Sequence, residues 1–147
     1  MFDLTLSFDN TEPQISIKNR CFFENTLVFN APRTFTVKVF KDKRGEPHDL
    51  TDLQAITLIA VSSYSETIEY HRWTQFFNGL SGTPTSGTVT TTMFTIDNAT
   101  EGEFSLSFTA AETTHFLSNE RYIDFEFRFL FPASDLRDWA HIYVKPS

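Results

Sequence analysis

A single cysteine, Cys21, stands in a chain of 147 residues, so no intrachain disulfide can staple the fold. Cys21 precedes Phe22 and Phe23, which marks it as a small buried hydrophobe rather than a nucleophile. One thiol also falls short of the cysteine sets that hold structural zinc, and the expectation is a chain that folds in a reducing compartment. Basic charge is scarce too: 12 Lys and Arg against 19 Asp and Glu leave a net charge of −7. A surface of that sign does not displace the counterions of nucleic acid. The one basic cluster, Lys41, Lys43 and Arg44 beside Gly45, reads as a solvated hairpin tip. Long apolar runs are missing, and none approaches the roughly 18 residues of a membrane-spanning helix. The opening Met-Phe-Asp-Leu-Thr-Leu lacks the basic start and continuous apolar stretch of a secretory signal. Neither nucleic acid nor membrane is therefore an expected partner.

What the chain has is phenylalanine, 17 of them against 2 Trp and 4 Tyr. Phe has no polar tip and needs no hydrogen-bond partner when buried, so this composition predicts a large core. Period-two alternation places that core on strands, because successive side chains of a strand face opposite ways. Phe2, Leu4, Leu6 and Phe8 alternate with polar residues; so do Ile15 and Ile17, Phe35 to Val39, Phe104 to Phe108, Ile123 to Phe131, and Ile142 with Val144. Ala55–Val61 is apolar throughout and reads as a central strand covered on both faces. Thr67–Trp73 and the Thr-rich Thr88–Ile96 are further strand candidates. Turn-forming clusters separate them: 43–47, 78–87, and 97–102, the last including the sequon-like Asn98-Ala99-Thr100. Two short helical turns are predicted. One runs from Thr109 through Leu117 with Thr109 and Glu112 as a capping box; the other covers Ser134–Trp139. The reading is one all-β domain over residues 1–147, a two-sheet antiparallel sandwich. Phe35, Val37, Val39, Ile56, Leu58, Phe104, Leu106, Phe125, Phe127 and Phe129 form its expected core.

Chemistry-bearing patterns are thin. Nucleophile elbows, phosphate loops and dinucleotide fingerprints are absent. His48, His71, His115 and His141 have no shared ligand spacing and are expected to stay apart. Asp124 and Glu126 share a strand face as a glycosidase pair would, but neighbouring Arg128 reads as their balance on a solvated face. No catalytic residue, cofactor or metal is expected. The expected working surface is instead a contact surface. The N-terminal strand, with Phe2, Leu4 and Phe8, reads as an uncovered edge able to pair with a neighbouring subunit. The segment Trp73–Gly87 reads as a loop whose Trp73, Phe76, Phe77 and Leu80 are anchors for a partner.

The stretch Thr34–Val61 runs Thr-Phe-Thr-Val-Lys-Val-Phe-Lys-Asp, a turn, then Pro-His-Asp-Leu-Thr-Asp-Leu-Gln-Ala-Ile-Thr-Leu-Ile-Ala-Val. Gly102–Phe108, Thr109–Leu117 and the strand Tyr122–Phe131 follow in that order. Over residues 34–131 this resembles an immunoglobulin-like domain of tailed-phage baseplate and related virion proteins, with Asp49-Leu50-Thr51 as its Asp-Leu-Thr element. The resemblance implies an immunoglobulin-like fold and a non-enzymatic building block of a virion, folded in the host cytoplasm. Its implied partners are other virion proteins, a major capsid protein or tail proteins; the edge strand and the loop anchors add further copies of the chain as an expected partner. With no room in the chain for a second domain, a capsid decoration (cement) protein is the first expectation and a small tail or baseplate component the second. A different class, a carbohydrate-binding module, would stack sugars on Trp73, Trp139, Tyr64, Tyr70 or Tyr143; an aromatic platform on one sheet face would favour it.

Overall fold

A computed structural model of the chain describes residues 2–7, 26–41, 45–63, 68–84, 86–116 and 121–146. Phe8, Ile15, Ile17, Cys21, Lys43, Arg44, Tyr64, Thr67 and Leu117 lie outside the described residues. The strands are β1 (Leu4–Ser7), β2 (Thr26–Val28), β3 (Arg33–Phe40), β4 (Ala55–Ser62), β5 (Glu69–Phe76), β6 (Thr88–Val89), β7 (Phe94–Asn98), β8 (Glu103–Phe108), β9 (Arg121–Phe131) and β10 (Ser134–Lys145). They form a four-stranded sheet in the order β1-β3-β8-β7 and a six-stranded sheet in the order β2-β10-β9-β4-β5-β6. With β2 set aside as a short extra strand and the rest lettered in chain order, the sheets run A-B-E-D and G-F-C-C′-C″. The order matches that of a variable-type immunoglobulin sandwich, but the directions of β1·β3 and β5·β6 do not, since both pairs are parallel where that sandwich is antiparallel.

The inner pairs of both sheets are antiparallel, as expected. The outer pairs β1·β3, β2·β10 and β5·β6 are parallel, which corrects an all-antiparallel reading. Parallel neighbours need a long return connection. The segment between Phe76 and Thr88 is that return: it brings Thr88 beside Trp73 and Val89 beside Thr74. Gly87 makes the approach feasible, because at φ +88° a Cβ there would lie 2.4 Å from the Arg72 carbonyl oxygen.

All ten expected core residues are 0% exposed. Edge-to-face rings fill the space between the sheets: Phe104 meets Phe127 at 6.4 Å and Phe129 at 5.8 Å, and Phe108 meets Trp73 at 5.6 Å. Two buried polar side chains fasten the edges of the smaller sheet to the larger one. Gln75 of β5 accepts from Phe94 N–H at 2.8 Å and donates to Phe94 C=O at 2.7 Å, closing the β7 edge. Asp138 of β10 accepts from Ser7 N–H at 2.8 Å at the β1 edge.

Several local readings change. Ser134–Trp139 is strand, not a helical turn: the Pro132-Ala133 turn sends it back along β9, where the ladder outweighs local preference. Thr88–Ile96 splits into β6 and β7, which belong to different sheets. The capped turn is present but short, α1 (Ala110–Thr113), with Thr109 Oγ1 accepting from Glu112 N–H and Glu112 Oε1 accepting from Thr109 N–H. Thr109→Ala removes the bond that the Thr109 hydroxyl accepts and keeps the one that the backbone N–H donates. It should cost about 1 kcal/mol, lowering the midpoint by roughly 3 °C in a thermal melt of a domain this size. An unchanged melt would mean that the box does not hold α1.

Candidate functional site

The outer face of the six-stranded sheet is where polar chemistry collects. Along β9 the odd residues from Ile123 to Phe131 face the core, so Tyr122, Asp124, Glu126, Arg128 and Leu130 point outward. The hairpin register sets Tyr143, His141, Trp139, Arg137 and Asp135 of β10 directly opposite them. On the other flank β4 brings Val61, Ile59, Thr57 and Ala55 to the same face. The solvated face expected here is corrected. Asp124 is 1% exposed and Glu126 9%, because Ile59, Val61 and Trp139 share their face and are themselves buried.

Each buried carboxylate has a cationic or ionisable neighbour. The Asp124 Oδ1 lies 2.7 Å from His141 Nδ1. Glu126 holds two guanidinium groups: Arg128 Nε at 3.0 Å, as the sequence implied, and Arg137 Nη1 at 3.6 Å. A buried carboxylate of this kind needs its partners to offset the loss of hydration. Ser63 Oγ also approaches His141, at 3.5 Å, but on the same Nδ1 that faces Asp124. A serine–histidine–aspartate relay requires the hydroxyl on one ring nitrogen and the carboxylate on the other, so these three do not make one. Asp124 and Glu126 are likewise committed to partners on their own sheet rather than set across a substrate.

Two clefts open on this face. One, of about 250 Å³, is lined by Arg128, Asp135 and Arg137. It shares Arg128 and Asp135 with a second, of about 270 Å³, which extends over Thr57, Thr74, Leu130 and Phe76 to Pro84. Arg128 and Arg137 are anchored at Glu126 and half-exposed beyond it, while Leu130 is 43% exposed. The chemistry is that of contact: fixed guanidinium forks, one carboxylate wall and an apolar end.

The residues expected to anchor partners are dispersed. Leu4 is 1% exposed and faces the core opposite Val37; β1 pairs with β3 and is the outer strand of the four-stranded sheet. Phe2 is half-buried near the ammonium of Lys38. Trp73 belongs to β5, not to a loop, and is 1% exposed. Phe76 and Phe77 are half-buried, with Phe77 packed on the core; Leu80, 47% exposed, does present a surface. Of these, only Phe76 lines the clefts. Arg128, Arg137, Asp135 and Leu130 were not singled out as contacts; reading Pro132-Ala133 as a hairpin turn would have paired them. The aromatic rings on this face turn toward one another, Tyr122 stacking on His141 at 4.9 Å and meeting Tyr143 at 5.1 Å. Trp139 is 6% exposed beside the Arg137 guanidinium. Tyr70 is half-buried against the core.

The histidines do not all stay apart. His71 and His115 stack at 4.0 Å, which corrects the expectation of four separate imidazoles. His48 packs on Phe131 instead, and His141 on Tyr122. Among the described residues no three His, Cys, Asp or Glu side chains gather as a metal site would require. No family model matches the chain, and no curated protein matches its sequence.

Proposed function

We propose that the chain is a non-enzymatic structural protein of a bacteriophage virion, in the first place a capsid decoration (cement) protein and in the second a small tail or baseplate component. The observation that carries an assembly role is the paired cleft on the outer face of the six-stranded sheet, where Arg128 and Arg137, pinned by Glu126, border exposed Leu130. Arginine and large apolar groups are enriched where proteins meet, and arginine anchored in place loses less freedom on binding. The immunoglobulin-type strand order and the residue pattern over 34–131 support the virion reading. Partners on this reading are other virion proteins and further copies of the chain.

The test is co-sedimentation of the tagged chain with intact particles from cells that make both. The parent chain should band with particles. The double variant Leu130→Asp, Arg137→Glu should lose roughly tenfold or more of that association, since anchor residues of an interface carry about 2 kcal/mol or more each. The single variant Leu130→Asp, at a 43% exposed position, should keep the parent's melting midpoint and is the control, whereas Arg137→Glu sets a second carboxylate beside buried Glu126 and should lower it. A parent chain that never bands with particles defeats the virion reading; a variant that bands equally well defeats the surface.

A further inference from the structure

The stacked histidines lie where three separate pieces of chain meet. His71 stands on β5 opposite Ala60, two residues before buried Trp73. Its Nε2 hydrogen-bonds with Thr88 Oγ1 of β6 at 2.8 Å. His115 comes from the turn after α1 and covers the His71 ring at 4.0 Å with a 19° tilt. Both rings touch the Trp73 indole, at 4.6 Å and 5.8 Å. The next residue, Phe116, is 0% exposed and packs on Trp73, Phe108 and Phe125. The turn therefore closes over Trp73, with His115 as the outer layer and Phe116 as the plug. Thr113 ties its other side down through hydrogen bonds with the Ala31 N–H and C=O.

We propose that the His71–His115 stack is an acid-sensitive latch, which holds the α1 turn over Trp73 at neutral pH and releases it on acidification. Two neutral imidazoles stack favourably, and a single positive charge can be shared with the facing ring. Two positive charges at this separation repel; His71 is half-buried against Trp73 and His115 is exposed, so water screens that repulsion only on the outer side. The charged groups around the pair do little to compensate. Glu69 on β5 is bound by Arg72 at 2.7 Å, and Glu112 on α1 is spent on the Thr109 N–H. From β6 the facing group is the neutral Thr88 hydroxyl, and from β8 it is the Phe108 ring packed on Trp73. Burial, then the His115 neighbour, holds the His71 ring below the usual histidine range, with Glu69 and Glu112 opposing weakly.

The sign follows from proton uptake. A folded-state pKa below the unfolded one means that the unfolded chain binds more protons through that interval. The latch is thus at full strength above the ordinary histidine pKa of about 6.5 and weakens as the pH falls through that value toward the lower folded one.

The experiment is acrylamide quenching of tryptophan fluorescence between pH 8 and pH 5 in a Trp139→Phe background, so that Trp73 reports alone, with histidine ring signals followed by NMR. Quenching of Trp73 should rise severalfold across the transition while far-ultraviolet circular dichroism stays constant. In the same background His115→Gln, at an exposed position, should flatten the pH dependence at unchanged fold. Equal quenching at both pH values while both ring signals titrate would overturn the latch. A transition that persists unchanged in His115→Gln would assign it to other groups and equally overturn it.

Discussion

Phe127→Ala is expected to remove about 3–5 kcal/mol of stability. Phe127 sits near the middle of β9 between Leu58 of β4 and Asp138 of β10, with no exposed surface. Its ring meets Phe104 edge-on at 6.4 Å, Phe125 at 6.4 Å and an 85° angle, and Phe129 at 6.3 Å. These neighbours are rigid rings on two different sheets, so they cannot collapse into the vacated volume without moving strands. Both the lost burial and the residual cavity therefore count. For a domain of this size the melting midpoint should drop by roughly 10 °C or more. The neighbouring outward residue supplies the control. Leu130→Ala, at a 43% exposed position, should change stability by about 0.5 kcal/mol or less. A Phe127→Ala protein that melts with the parent would mean that β9 presents the opposite face to the core.

The same strand shows what alternation reports and what it does not. Alternation along Ile123–Phe131 identified the inward face correctly, because period two is a property of the strand itself. It could not say whether the outward face is wet. Asp124 and Glu126 point away from the core and are still buried, since the residues that shelter them arrive from β4 and β10. Trp73 reads both as the end of the strand candidate Thr67–Trp73 and as the start of a loop; β5 continues to Phe76 because Thr74, Gln75 and Phe76 pair with Thr57, Ile56 and Ala55, which the polar Thr74-Gln75 does not announce locally. The return between β5 and β6 looked like an ordinary loop, because a parallel pairing leaves no local trace in composition. The capping box of α1, by contrast, is written in residues three apart and was legible. The cleft residues depend on cross-strand register. Arg128 and Arg137 are nine positions apart in the chain and become neighbours when the Pro132-Ala133 turn closes the hairpin.

Gln75→Leu is expected to cost about 3 kcal/mol. A polar residue at an inward position of β5 had no reading from sequence, and its role is visible in what it binds. β7 is the edge of the four-stranded sheet: its Phe94 faces Leu106 of β8 without exchanging the bond that Ser107 N–H makes to Met93 C=O. The Phe94 N–H and C=O are turned instead toward the Gln75 amide, which pairs with both in the manner of one more residue of strand. Leucine keeps the volume and leaves two buried backbone groups without partners, each costing about 1–3 kcal/mol, less where water reaches in. Gln75→Glu separates hydrogen bonding from packing. The carboxylate still accepts from Phe94 N–H, but its second oxygen faces the Phe94 carbonyl oxygen, where only a protonated acid can donate. The folded state therefore favours the protonated form, and the folded pKa rises above the unfolded value of about 4.3. Relative to the parent, Gln75→Glu should be close to fully stable below that value and lose stability as the pH rises through it. Denaturant unfolding of parent and both variants at pH 4 and pH 7 measures this, with hydrogen exchange at the Phe94 amide as the local readout. Gln75→Leu should lose protection at Phe94 at either pH, and Gln75→Glu should weaken chiefly at pH 7. If both variants unfold with the parent and Phe94 keeps its protection, the β7 edge is held by packing alone.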